Sequence, residues 1–148
     1  MVGPVVITFE DYQAGDIDRI EARDVDDFHV PTVKAQLESS YTFTVKVDDA
    51  PVAILAIHHD MPGVGTAWAI ISDAARGKHA VRLTKGARVI CQSLMRDLQL
   101  HRLHTYVQPV EEYRRWIRVL GFSYESTAHQ ALPNRGDLET WVTLREDG

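Results

Sequence analysis

The apolar positions of this chain repeat with two different periods, and the places where one period gives way to the other mark out its elements. Val5–Phe9 (VVITF) is β-branched and aromatic and predicts a first strand. From Asp11 to Asp24 the residues Ala14, Ile17 and Ile20 recur at helical spacing, which predicts a helix opened by Asp11 or Asp16, with Gly15 as its weak point. Pro31-Thr32 opens a second helical stretch through Glu38. Tyr41–Val47 alternates Tyr41, Phe43, Val45 and Val47 against threonines and a lysine, as a half-buried strand does. Asp48–Ala50 is a turn, and Pro51–His58 (PVAILAIH) is an unbroken apolar run of central-strand length, so these two strands read as a hairpin. Asp60–Gly65 (DMPGVG) turns the chain again before a strand at Thr66–Ser72 (TAWAIIS).

The period then lengthens. Leu83, Ala87, Ile90, Cys91, Leu94, Met95 and Leu98 form one face of the longest helix, which is expected to end near Gln99. Arg102–Val107 (RLHTYV) is a strand, Pro109 suits a helix start, and Tyr113, Trp116, Ile117 and Leu120 line that helix before Gly121 as its C-cap. Phe122–Ala128 and Leu138–Leu144 are two closing strands joined by Pro133–Asp137. The order β-α-α-β-β-β-α-β-α-β-β predicts one α/β domain over 1–148, with a mixed central sheet flanked by helices.

Composition narrows the function classes. The 148 residues are 45% apolar and 25% charged with a formal charge of −5, ordinary for a globular domain and poor for neutralising phosphates, so nucleic acid is not an expected partner. Arg96, Arg102, Arg114, Arg115 and Arg118 are interrupted by Asp97, Glu111 and Glu112 and read as a solvated helical face. The single cysteine, Cys91, excludes an intrachain disulfide and a four-thiolate zinc site, and on an apolar helix face it reads as a small hydrophobe. His58-His59 and His101/His104 are the tight histidine pairs, and no HExxH is present, so no metal is expected. The N-terminus lacks a signal-peptide pattern and no apolar run approaches the roughly 20 residues of a membrane span. A soluble cytoplasmic protein is the expectation.

The element order, with YTFTVKVDDAPVAILA, TAWAIIS, RLHTYVQP and EEYRRWIRVLGF in sequence, resembles the GCN5-related acetyltransferase (GNAT) superfamily over nearly the whole chain. The resemblance implies the acyl-CoA N-acyltransferase fold and transfer of an acetyl group from acetyl-CoA to an unidentified amine, directly within a ternary complex. It implies that pantetheine lies along Ile70, Ile71 and Ser72, and that the pyrophosphate is held at Arg76, Gly77, Lys78, His79, Ala80 and Val81, before the long helix. His79 and Val81 stand where the family pattern has Gly and Gly/Ala. Ile117 stands at the place of the tyrosine that many members use for the departing thiolate, and Val110 at the place of a frequent asparagine. Tyr113, one helical turn before Ile117, is the substitute candidate, with Tyr106 behind it, unless Tyr113 and Trp116 simply pack their helix. His58, His59 and Asp60 at one strand end and Asp73 at the next are the candidate general bases, weighed against a plain solvated turn. Trp68 belongs either to the core or to the acceptor groove.

Gly65, Thr66, Trp68, Asp73 and His79 also resemble a pattern in GNAT-like proteins of tailed bacteriophages, some of them internal virion proteins. That likeness implies an alternative: a catalytically inactive scaffold, in host cytoplasm or virion, that forms a homodimer or binds a phage or host protein.

Overall fold

The computed structural model describes residues 5–20, 37–38, 40–72, 75, 77 and 79–146. Seven strands carry the fold: β1 (Ile7–Asp11), β2 (Tyr41–Val47), β3 (Ala50–Met61), β4 (Val64–Ile71), β5 (Arg102–Val107), β6 (Ser123–Ala128) and β7 (Leu138–Leu144). Among the described residues, the helices α1 (Ala80–Asp97) and α2 (Glu111–Val119) accompany them. The strands are hydrogen-bonded in the order β1-β2-β3-β4-β5-β7-β6. β1, β2 and β3 pair antiparallel, β4 and β5 pair parallel, and β5, β7 and β6 pair antiparallel, so the sheet is mixed as expected. The chain divides into two compact units, one up to His58 together with Trp68–Leu83, the other His59–Ala67 together with the residues from Thr84 onward.

In the first unit both faces of the strands are covered. Ile17, Ile20, Leu37, Ile54, Ala56 and Ile70 form one core, with Tyr12 and Trp68 against it. Val45, Val52, Ala53, Ala75 and Leu83 form another, with Ile7, Phe9, Val47, Leu55 and Ile71 packed on it. This two-sided burial is why PVAILAIH shows no alternation. The register slips between Val45 and Lys46, leaving Val52 as an extra residue on β3. Asp48 and Asp49, at φ 48° and 68°, make the tight β2–β3 turn.

The helix expected from Asp11 is absent: Asp11 ends β1, and only Asp16–Arg19 forms a short 3-10 turn. Gly15 sits at φ 95°, a left-handed conformation that cannot lie inside a right-handed helix. Asp16 takes a buried role instead, accepting hydrogen bonds from Thr44 Oγ1 at 2.7 Å and from the Gln13 amide at 2.9 Å. The rest of that expected helix, and most of the one from Pro31 to Glu38, lies outside the described residues; Leu37 and Glu38 are helical.

In the second unit the buried strand residues lie on one face. Leu103, Thr105 and Val107 of β5 and Glu139, Trp141 and Thr143 of β7 are buried. Met95 and Leu100 from the α1 end, with Ile117, Leu120 and Phe122 around the α2 end, complete this core. α1 is held to β7 through Gln92, which donates to the Leu144 carbonyl and accepts from the Glu146 amide. α2 is held to α1 by Trp116 Nε1 donating to Thr84 Oγ1 at 3.0 Å. It is held to β7 by Arg114, whose guanidinium donates to both oxygens of buried Glu139. Trp141 Nε1 donates to the same carboxylate, and Arg118 stacks 5.4 Å from the Trp141 ring. The arginines read as a solvated face are thus partly structural.

The β3–β4 turn is tighter than DMPGVG suggests, with only Pro62 and Gly63 outside the strands. The Pro-Gly order and a Gly63 φ of 82° suit a type II turn. Gly63 is required twice over, because a Cβ there would run into the His101 ring.

Candidate functional site

Because α1 and α2 occupy one face of β5 and β7, the side chains of the opposite face remain available. Alternation places Arg102, His104 and Tyr106 of β5 there, beside Thr140, Val142 and Leu144 of β7. Parallel pairing adds β4: Val64 faces Arg102, Gly65 faces Leu103 and Thr66 faces His104. The ladder ends on that third pair, although β5 runs on to Val107 and β4 to Ile71. Thr66 and His104 therefore stand at the last hydrogen-bonded step of the sheet's parallel pair.

A polar chain crosses three strands at this step. Thr66 Oγ1 donates to Asp60 Oδ2 at 2.5 Å and lies 2.9 Å from His104 Nε2. Asp60 Oδ2 is itself 3.7 Å from that nitrogen. The second ring nitrogen, His104 Nδ1, is buried without a hydrogen-bond partner among the described residues. Tyr106 stands edge-on to the His104 ring at 5.6 Å between centroids. On the other side, Arg102 grips Glu125 through two hydrogen bonds of 2.6 Å. Those bonds lower the Glu125 carboxyl pKa, and the nearby His104 adds to the effect.

Of the residues expected from sequence to bind cofactor, Ile70 and Ile71 send their side chains into the two cores of the first unit. Ser72 is buried, with its amide and Oγ both donating to the Val52 carbonyl. What β4 offers a ligand here is backbone. His79 and Ala80 are half-buried, Val81 is 64% exposed, and Gly77 is exposed with open space around it, so neither His79 nor Val81 is packed into the interior. The first α-helical bond of α1 runs from the Leu83 amide to the His79 carbonyl, and the Ala80 amide bonds Gly77. The amides of Val81 and Arg82 precede that bond, and the first turn of α1 holds no acidic residue. Arg76, Lys78 and Asp73 lie outside the described residues.

Among the catalytic candidates, His58 is exposed at the end of the first unit's share of β3, and His59 beside it is exposed too. Tyr113 is half-buried on α2. Ile117 is buried in the second unit's core, and Val110 precedes α2 without a side-chain cap. The Cys91 thiol pKa is pushed up to about 11 by burial, which makes it a poor nucleophile. Among the described residues no three metal-ligating side chains converge. Also among them, no helix is long and apolar enough to cross a membrane. Asp60 was legible as a strand-end candidate, but its partners Thr66 and His104 were not. The available signal was the alternation in RLHTYV, which sets Arg102, His104 and Tyr106 against buried Leu103, Thr105 and Val107.

No protein-family model and no curated protein sequence matches the chain. Solved structures do. An acetyltransferase of the GNAT family from Bacillus anthracis superposes with a TM-score of 0.75 at 14% identity, over 95% of this chain and 96% of that one. Ard1 from Thermoplasma volcanium gives 0.77 at 12% identity, over 95% and 99%. A GNAT family acetyltransferase from Elizabethkingia anophelis, solved with acetyl-CoA bound, gives 0.72 at 11% identity, over 93% and 97%. The likeness spans nearly the whole chain and is one of fold: this protein has a GNAT-like fold, a mixed central sheet flanked by helices.

Proposed function

We propose that the protein is an N-acetyltransferase that moves an acetyl group from acetyl-CoA to an amine. The observation that carries this reading is the short β4–β5 ladder, which ends at Thr66 and His104 while β4 continues to Ile71. A strand edge beyond its last ladder bond offers amides and carbonyls to an amide-bearing chain such as pantetheine. The open first turn of α1 supplies the matching anion site, with the amides of Val81 and Arg82 at the positive end of the helix. In this arrangement Ile70, Ile71 and Ser72 serve through backbone, and Gly77, His79, Ala80 and Val81, with Arg76 and Lys78, surround the pyrophosphate. The amine attacks the thioester carbonyl, a C–N bond forms, the C–S bond breaks, and the sulfur leaves as a thiolate that takes a proton.

Calorimetric titration with acetyl-CoA, with CoA as control, tests the reading. The expected result is saturable micromolar binding that Val81→Glu weakens about tenfold or more, because a carboxylate in the first turn opposes the pyrophosphate while suiting the helix itself. No binding to the folded protein at millimolar acetyl-CoA overturns it. That outcome favours the second reading, an inactive GNAT-fold phage protein with a virion or host-interaction role, for which buried Ile117 at the tyrosine place speaks.

A further inference from the structure

We infer that Ser72 is a positioning residue for the cofactor: its side chain does not meet acetyl-CoA but pins the end of β4, so that the strand edge is already extended when the pantetheine arm arrives. The inference rests on the acetyl-transfer reading above and assigns a role within it. The residues that carry it, Val52, Ile71, Ser72, Ala75 and Leu83, all belong to the first unit. β4 has a ladder partner on both sides only as far as Thr66. From Trp68 to Ile71 it runs on beside β3 alone. A strand end with one neighbour opens at low cost. An open edge must be ordered before an amide-bearing chain can bond to it, and that ordering weakens binding.

Ser72, the next residue, holds that end twice. Its amide donates to the Val52 carbonyl at 2.9 Å and its Oγ donates to the same oxygen at 2.7 Å. A carbonyl oxygen has two lone pairs and can take both. Val52 is the extra residue of β3, without a partner on β2. Ser72 and Val52 are 5% and 4% exposed, so water does not compete for these bonds. Backbone alternation then decides what is left for a ligand. The Ser72 amide points to β3, so the amide and carbonyl of Ile71 point to the opposite edge. On its other side, Ser72 accepts at its own carbonyl from the Ala75 amide at 3.1 Å. Ala75 is buried in one core with Val52 and Leu83. One residue thus fixes the end of β4 and the start of the turn that follows it. By sequence it reads as the polar stop of TAWAIIS; in the structure its hydroxyl is buried and fully engaged.

Two measurements test this. Amide hydrogen exchange needs no ligand. Ser72→Ala should speed exchange of the residue-72 amide about tenfold while the amides of Thr44 and Ile54, in the middle of β2 and β3, keep their wild-type rates. Uniform acceleration across these strands, or none at residue 72, overturns the assignment. The second is calorimetric titration with acetyl-CoA and with 3′-phosphoadenosine 5′-diphosphate, which is CoA without its pantetheine arm. Ser72→Ala keeps the Ala75 bond, because that bond uses backbone alone. It should therefore weaken acetyl-CoA about five- to tenfold yet hold the truncated ligand within about twofold of wild type. Ser72→Thr, which keeps the hydroxyl, should restore acetyl-CoA affinity. A merely structural serine would weaken both ligands alike. That result, or acetyl-CoA affinity undiminished in Ser72→Ala, overturns this assignment and leaves the acetyltransferase reading standing. Failure of the folded wild type to bind acetyl-CoA overturns both.

Discussion

The two units bury their strands differently, and the difference decides where polar side chains meet. In the first, apolar side chains cover both faces: Ile54, Ala56 and Ile70 go one way, Val45, Val52 and Leu83 the other. In the second, β5 and β7 bury Leu103, Val107 and Trp141 on one face and present His104, Tyr106, Thr140 and Leu144 on the other. The polar chain Asp60–Thr66–His104 lies on that second face, where Tyr106 and Leu144 are exposed.

The sharpest way to break this contrast is to mutate neighbours on one strand. Trp141→Ala should cost about 3–5 kcal/mol in denaturant unfolding, since it empties the buried face of β7. Val142→Ala, one residue on, should cost about 1 kcal/mol or less; equal costs would mean that the second face is packed after all. Ile54→Ala should cost about 2–5 kcal/mol, as expected of a doubly covered strand. A smaller loss, about 1 kcal/mol or more, is expected for Gly63→Ala, from the positive φ and the collision with His101. The smallest effect is one of pH. The bonds from Arg114, helped by that from Trp141, hold the Glu139 carboxyl below the ordinary glutamate value of 4.5. Because the folded state lowers this pKa, the stability it contributes is complete above about 4.5 and is lost as pH falls through the lower folded-state value. Melting curves between about pH 5 and about pH 3 should therefore fall less steeply for Glu139→Gln than for the wild type.

Much of the fold was legible because its period switches are clean. RLHTYV, LETWVTL and YTFTVKV appear as strands at their sequence-read bounds, and the long helix ends two residues before Gln99. The errors have local causes. Ala14, Ile17 and Ile20 mimic a helical face, but Gly15 turns left-handed between them. β3 runs on past His58 through His59, Asp60 and Met61, and Asp60 and Met61 read as turn because hairpin pairing, not burial, keeps them extended. The candidate site was less visible. Thr66 and His104 are far apart in sequence, and only the parallel register of β4 on β5 brings them together. No spacing rule encodes that register. The loop expected to hold a pyrophosphate falls in part outside the described residues, Arg76 and Lys78 among them.

The irregularity in β6 bears on how molecules of this protein meet. β6 is the last strand of the sheet, and all but Thr127 of its residues are exposed. Such an open edge is a template on which another chain can add a strand and begin to aggregate. Between Tyr124 and Ser126 the register slips, so Glu125 is an extra residue that interrupts the row of donors and acceptors. Arg102 then ties Glu125 down with two bonds. An incoming strand would meet a bend and a bound charge where it needs a flat, unpaired ladder.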